Sequence, residues 1–236
     1  MKSAKKSQDV VLNDNPPSCS PACFVIVYNV AKRANIGNLM RSCTAFGVRA
    51  ACIVGSAHFS SFGAHGAVEH MQLRHYETLD ECVCDLKERD GARIVGVEID
   101  PSAVPVHTHS AFHGPTAFML GQEGDGLNAK QRRLCDALVY IPQHGPGTAS
   151  LNVTVAASIV LHQFSVWARY PERAREGAKF VVAPRPQRTA PRGVVPGARP
   201  ARLDATEAAR AQEEGEAWMQ ERMMAEGGGL EAALAL

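Results

Sequence analysis

The sequence predicts an α/β domain with a mainly parallel sheet and helices on both faces, extending from about residue 22 to 170. Three observations lead to this prediction. Short apolar runs alternate with segments of helical periodicity, turns rich in glycine or asparagine follow several of the runs, and one long apolar helix follows the last run. Parallel strands need a crossover connection, which is usually a helix, so this alternation indicates a parallel sheet.

Five short runs rich in apolar and β-branched residues are predicted as strands. They cover residues 23–28, 50–54, 93–99, 116–120 and 137–141. Apolar residues at helical spacing predict helices over residues 36–46, 76–87 and 128–135, and Gly47 is placed to end the first of these helices. Residues 55–66 and 101–115 are predicted as irregular loops.

The most apolar helix is predicted within residues 145–169, after a loop of small residues. Ser150 is predicted as its N-cap, because a serine oxygen can accept a hydrogen bond from the first helical turn. Apolar residues occupy nearly every face, so we expect this helix to be buried on most sides. Its N-terminus can present backbone donors to a ligand, although a core helix with a flexible entry loop is the alternative.

The two ends of the chain differ from the middle in composition and charge. Residues 1–21 are polar and predict a disordered lead. Residues 171–202 predict a basic linker rich in proline and arginine, and residues 203–236 predict an acidic tail with one possible isolated helix. A basic segment followed by an acidic one is hidden in the net charge of +1.

Several classes of protein do not fit the sequence. No apolar run reaches membrane-spanning length, and the first residues lack the apolar segment of a secretory signal. Seven cysteines without framework spacing favour a reducing, intracellular compartment, with the cytoplasm first and an organelle or the nucleus left open. The cysteines are expected to be structural thiols and the histidines at 107, 109 and 113 to lie in a surface loop, so no metal is expected.

Polar and glycine-containing segments at 35–38, 121–126 and 145–152 follow predicted strands. In an open α/β sheet, ligands bind beyond the carboxyl ends of the strands, so these segments are candidate binding loops. Neither the dinucleotide pattern nor the P-loop pattern is present, which argues against a nicotinamide or ATP site. Arg41 falls opposite the apolar face of its helix, where an arginine is either a solvated charge or a contact for phosphate or ribose.

Together these segments resemble the three motifs of the SpoU/TrmH family of SPOUT RNA methyltransferases. The first motif is Asn35, Gly37, Asn38, Arg41, Phe46 and Gly47; the second is Phe118, Met119, Leu120, Gly121, Glu123, Gly126 and Leu127; the third is Ile141, Pro142, Ser150, Leu151, Asn152, Val153, Val155 and Ala156. The order of the motifs agrees, and the resemblance covers about residues 23–169.

The resemblance implies a C-terminal deep trefoil knot, a homodimer with a shared active site, and methyl transfer from S-adenosyl-L-methionine to a ribose 2′-hydroxyl of structured RNA. It also implies roles for individual residues. The cofactor is expected at Leu120, Gly121, Ile141, Ser150 and Leu151. The catalytic set is expected to be Arg41, Asn35, Glu123, Ser150 and Asn152, with Arg41 orienting the ribose and an adjacent phosphate and the identity of the base left open.

Three hypotheses about function follow from the sequence. The first is a ribose-directed RNA methyltransferase, with tRNA placed ahead of rRNA because no amino-terminal RNA-binding domain is recognised. The second is a base-directed SPOUT methyltransferase. The third is a non-catalytic RNA-binding or assembly protein on the same fold. The acidic tail departs from the basic extensions of the family's short tRNA-modifying members and weakens the idea of a simple electrostatic tRNA clamp.

Overall fold

The structure is a computed structural model that describes residues 20–28, 33–56, 63–122 and 124–184. Its centre is a seven-stranded sheet in which every pairing is parallel, with the strand order β3-β2-β1-β6-β4-β7-β5. The strands are β1 (Cys23–Val27), β2 (Ala50–Val54), β3 (Gln72–Tyr76), β4 (Arg93–Val97), β5 (Val104–Pro105), β6 (Thr116–Leu120) and β7 (Ala137–Tyr140). The helices are α1 (Arg33–Ala45), α2 (Leu79–Asp90), α3 (Ala129–Leu134) and α4 (Val153–Trp167). The predicted α/β class is therefore confirmed.

The sheet buries both of its faces under helices. On one face, α1 and α4 contribute buried residues such as Leu39, Met40, Leu161 and Phe164. On the other face, α2 contributes Leu79, Cys82, Val83 and Leu86. Successive strand residues point to opposite faces, so Phe24 packs with α2 while Val25 packs with α1 and α4. This two-sided burial explains why the central strands read as continuous apolar runs.

The edge strand β3 is not among the predicted strands, and its last residue, Tyr76, is predicted to begin a helix. Tyr76 instead ends β3 and pairs with Val54, and α2 begins only after Thr78, whose Oγ1 accepts a hydrogen bond from Glu81 N at 3.2 Å. The sequence of β3 is mostly polar because the strand is only partly buried. A polar edge strand gives little periodicity to detect, so its pairing with β2 is a tertiary effect.

The start of α4 differs from the sequence prediction. Asn152, not Ser150, is the N-cap, because its Oδ1 accepts a hydrogen bond from Thr154 N at 2.9 Å. The expectation of burial on most sides is confirmed, because the exposed residues of α4 are Val155, His162 and Val166, which share one narrow stripe of the helix. α4 has 15 residues, and in the described part of the chain no helix is long and apolar enough to cross a membrane.

Two further features lie outside the five predicted strands. A two-residue strand, β5, pairs with β7 within the segment expected to be irregular. Beyond α4, β8 (Arg175–Glu176) and β9 (Lys179–Phe180) form an exposed antiparallel hairpin inside the expected basic linker. Residues 1–19 of the predicted lead, residues 185–202 and the acidic tail lie outside the described residues, and the trefoil knot stays a prediction.

Candidate active site

A cavity of about 200 Å³ opens at the carboxyl ends of the neighbouring strands β6, β4 and β7. Its described lining is Val97, Glu98, Ile99, Leu120, Gly121, Gln122, Gly124, Asp125, Gly126, Tyr140, Ile141, Gln143, Ser150, Leu151, Val153 and Ala156. All five residues expected to bind the cofactor are in this set. The structure thus brings the second and third motifs together on one cavity, at the sheet edge where α/β proteins bind ligands.

A turn that pairs Gln122 with Gly126 forms one wall of the cavity. Gln122 and Gly126 form two reciprocal backbone hydrogen bonds, with N–O distances of 2.9 and 3.0 Å. Gly126 has a φ of +68°, which favours glycine. Gly121 packs so closely on the turn that a Cβ there would lie 2.5 Å from the carbonyl carbon of Gly126. Both glycines are therefore required by the shape of the wall. Glu123, expected to organise this turn, lies outside the described residues.

One buried polar side chain, Gln131, supports the wall of the cavity. Gln131 is 2% exposed, and its Nε2 donates to Leu120 O at 3.3 Å. The same side chain completes a capping box with Asn128 at the start of α3. Because Leu120 lies at the end of β6, the link through Gln131 fixes α3 to the floor of the cavity.

An acidic cluster lies beside the turn. The Oε2 atom of Glu98 accepts a hydrogen bond from Leu127 N at 2.6 Å. Arg132 lies between two carboxylates, with its Nη1 2.6 Å from Asp100 Oδ2 and its Nη2 3.8 Å from Glu98 Oε1. Hydrogen bonds from Ser102, and then one from Arg132, lower the pKa of Asp100 to about 2. Asp100 is therefore a fixed negative charge that holds Arg132 in place.

The first and third motifs meet through a pair of asparagines. The Nδ2 of Asn152 donates to Oδ1 of Asn35 at 3.3 Å, and Thr154 Oγ1 donates to the backbone oxygen of Asn35, also at 3.3 Å. Asn35 is only 8% exposed. This arrangement joins the start of α1 to the start of α4, although the two asparagines are 117 positions apart in sequence.

Ser150 and Arg41 are the other catalytic candidates among the described residues. Ser150 is exposed and lines the cavity, and its backbone is held by Thr148, whose Oγ1 donates to Ser150 O at 2.8 Å. Arg41 lies exposed on α1 and is not among the described residues that line the cavity. The catalytic roles assigned to these residues stay predictions.

The charge of the lining was not foreseen from the sequence. Two acidic residues, Glu98 and Asp125, are in the described lining, and no lysine, arginine or histidine is. Glu98 had a detectable signal, because it directly follows β4 at the same sheet edge as the motifs. Gln131 had none, because only the packing of α3 reveals its contact with β6. Over the described ranges, no group of three or more His, Cys, Asp or Glu residues is arranged to hold a metal ion.

Comparisons with known proteins agree with this geometry. The model of the SpoU rRNA Methylase family matches residues 22–162. An uncharacterized tRNA/rRNA methyltransferase of Mycolicibacterium smegmatis is 32% identical over 154 residues, covering 62% of this chain and 47% of the relative. The 23S rRNA (guanosine-2′-O-)-methyltransferase RlmB of Acinetobacter baylyi is 29% identical over 165 residues, covering 67% of this chain and 64% of the relative.

Among solved structures, the SpoU methyltransferase AviRb of Streptomyces viridochromogenes in complex with AdoMet shares the fold. Its TM-score is 0.55 at 23% identity, and the match covers 64% of this chain and 62% of that one. This chain spans about half the length of the first curated relatives it matches. The family match extends over more than half of the chain, and it coincides with the sheet and the cavity. The chain therefore belongs to the SpoU rRNA Methylase family.

Proposed function

We propose that this chain binds S-adenosyl-L-methionine in the cavity at the ends of β6, β4 and β7, and that it methylates a ribose 2′-hydroxyl of structured RNA. The observation that carries the proposal is the meeting of the second and third motifs on one cavity whose described lining is acidic and free of basic side chains. The family membership and the named activities of the relatives support the same reaction.

The residues present fit an adenosyl group with a positive charge. Leu120, Ile141 and Leu151 offer apolar contacts for a base, and the ends of the strands offer backbone donors and acceptors. The carboxylates of Glu98 and Asp125 attract a cation and repel a phosphate. A cofactor whose sulfonium is positive and which carries no phosphate matches this lining better than a nucleotide does.

The bound cofactor supplies an activated methyl group, so the protein mainly has to align a hydroxyl and receive its proton. The Asn35–Asn152 pair fixes the start of α1 against the start of α4, beside the loop that carries Ser150. We assign Arg41 to orienting the ribose and its phosphate, because a guanidinium stays protonated in proteins and is a poor base. An exposed arginine is available for that contact.

We further propose a homodimer whose active site uses both subunits. The exposed apolar residues Val155 and Val166 on α4 support an interface on that helix. Sedimentation at micromolar concentration tests it, and a monomer would contradict the shared site.

We also propose an intracellular location, because the six cysteines in the described segments are free thiols.

The reaction is tested with methyl-labelled cofactor and separate samples of tRNA and rRNA. RlmB acts on 23S rRNA by its name, so both RNAs are compared directly. After alkaline digestion, label in resistant dinucleotides supports ribose methylation. Label only in mononucleotides would favour the base-directed alternative, and RNA binding without transfer would favour the non-catalytic one.

Arg41→Ala tests the assignment within that reaction. We expect turnover to fall by about 10²–10⁴-fold while cofactor binding persists. Arg49→Ala is the matched control, because Arg49 is also exposed but precedes β2 at the opposite end of the strands. Equal activity of the two variants would refute the role of Arg41.

A further inference from the structure

Two hydrogen bonds to backbone groups hold Glu98 on the cavity wall, one through its own N–H and one through its carboxylate. Its own N–H donates to Val139 O at 2.9 Å, which fixes Glu98 at the end of β4 beside β7. Its Oε2 accepts from Leu127 N at 2.6 Å. The side chain is only 16% exposed. The carboxylate is thus placed by the sheet and by the turn rather than left free in solvent.

The carboxylate also lies directly against the turn that forms the wall. A Cβ added to Gly126 would lie 2.3 Å from Oε2 and 2.8 Å from Oε1 of Glu98. Gly126 and Glu98 both line the cavity, so the carboxylate lies next to residues that a ligand there would meet.

Part of the accepting capacity of Glu98 is left for a ligand. An ionised carboxylate offers about four acceptor positions, and one is used by Leu127. Arg132 approaches Oε1 only to 3.8 Å, because its Nη1 is bonded to Asp100 at 2.6 Å and its Nε donates to Leu127 O at 3.2 Å. Arg132 therefore balances the charge of Glu98 without a short hydrogen bond to it.

We propose that Glu98 is a ligand-binding residue of the cavity and that its carboxylate accepts a hydrogen bond from a ribose hydroxyl of the bound nucleoside. This inference rests on the proposed binding of S-adenosyl-L-methionine. Ribose hydroxyls are donors that carboxylates recognise in other nucleoside sites. An acceptor-only group on an acidic wall selects a neutral diol and disfavours an anion.

A double-mutant cycle separates this contact from mere support of the turn. Binding of S-adenosylhomocysteine and of its 2′-deoxy and 3′-deoxy analogues is measured by calorimetry for the wild type and for Glu98→Gln. The glutamine keeps the size of the side chain and an oxygen that can accept from Leu127. We expect loss of the contacted hydroxyl to weaken wild-type binding by about 10- to 100-fold, and Glu98→Gln to reduce that penalty to about 3-fold or less.

Two controls make the outcome decisive. Glu81→Gln removes a carboxylate from the exposed side of α2 and should keep the wild-type penalty for each missing hydroxyl. Hydrogen exchange of the Leu127 amide reports whether the turn stays anchored. If the penalties are the same in the wild type and in Glu98→Gln, Glu98 only supports the turn and the inference fails while the proposed function stands. If the wild type binds none of the ligands, the proposed function is refuted, and the inference is refuted with it.

Discussion

The backbone of Gly126 and Leu127 packs closely on Gly121, so Gly121→Ala is the most direct test of the cavity wall. A Cβ at this position would lie 2.5 Å from Gly126 C and 2.8 Å from both Gly126 Cα and Leu127 N. All three are backbone atoms, which cannot rotate away as a side chain can. Ordinary contact begins at 3.4 Å, so the turn must withdraw by about 0.9 Å.

That displacement determines the expected magnitudes. Overpacking of this kind costs about 1–3 kcal/mol in the free energy of unfolding. It also pulls Leu127 N away from Glu98, where the present distance is 2.6 Å. A misplacement of about 1 Å near reacting groups can lower turnover by about 100-fold. We therefore expect Gly121→Ala to lose both stability and activity, with the larger effect on activity.

Urea unfolding followed by circular dichroism measures the stability change, and calorimetry with S-adenosyl-L-methionine measures binding to the folded variant. Gly145→Ala is the control for stability, because no heavy atom lies within 4 Å of a Cβ there and its φ is outside the left-handed region. It should be neutral or gain about 0.4–1 kcal/mol. Unfolding and binding of Gly121→Ala at wild-type levels would show that the turn does not pack on Gly121 as described.

Three further changes test other contacts. Asn152→Ala removes both the cap of α4 and the bond to Asn35 and should cost about 1.5–3 kcal/mol in urea unfolding, whereas Asn152→Ser keeps the cap and should recover about 1 kcal/mol; equal losses would refute the capping role. Asp90→Ala leaves the partly buried Arg74 without its 2.5 and 3.2 Å partners and should cost about 3–5 kcal/mol, and a loss under about 1 kcal/mol would contradict this pairing. Burial, and then the charge of Asp136, raises the pKa of the Cys135 thiol from 9.0 to about 11. The protonated thiol therefore makes its full contribution to the free energy of unfolding below pH 9, and this contribution is lost as the pH rises through 11. Iodoacetamide labelling read by peptide mass should reach half its maximum near pH 11 in the folded protein, and a value near 9 would disprove the shift.

The central part of the fold could be predicted because its signals are local. Two of the five expected strands match β2 and β6 in full, and the other three end within two residues of the observed β1, β4 and β7. Strands covered on both faces must be apolar along their whole length, so they stand out from the loops. The polar edge strand β3 and the two-residue β5 lack that signal and depend on their neighbours for pairing.

The residues of the candidate site also fall into two groups, those with a local sequence signal and those that depend on packing. The three motif segments could be detected locally, because glycine- and asparagine-containing turns follow strands there and Arg41 lies opposite the apolar face of its helix. The choice of Asn152 rather than Ser150 as the cap of α4 came from the fold, since both residues can cap and the choice depends on where the helix packs. The fold also determines that Glu98 and Gln131 support the cavity, because each contacts a backbone group that is 29 or 11 positions away in sequence. Local chemistry thus marked which segments could form a site, and the parallel packing of β6, β4 and β7 determined which side chains meet there.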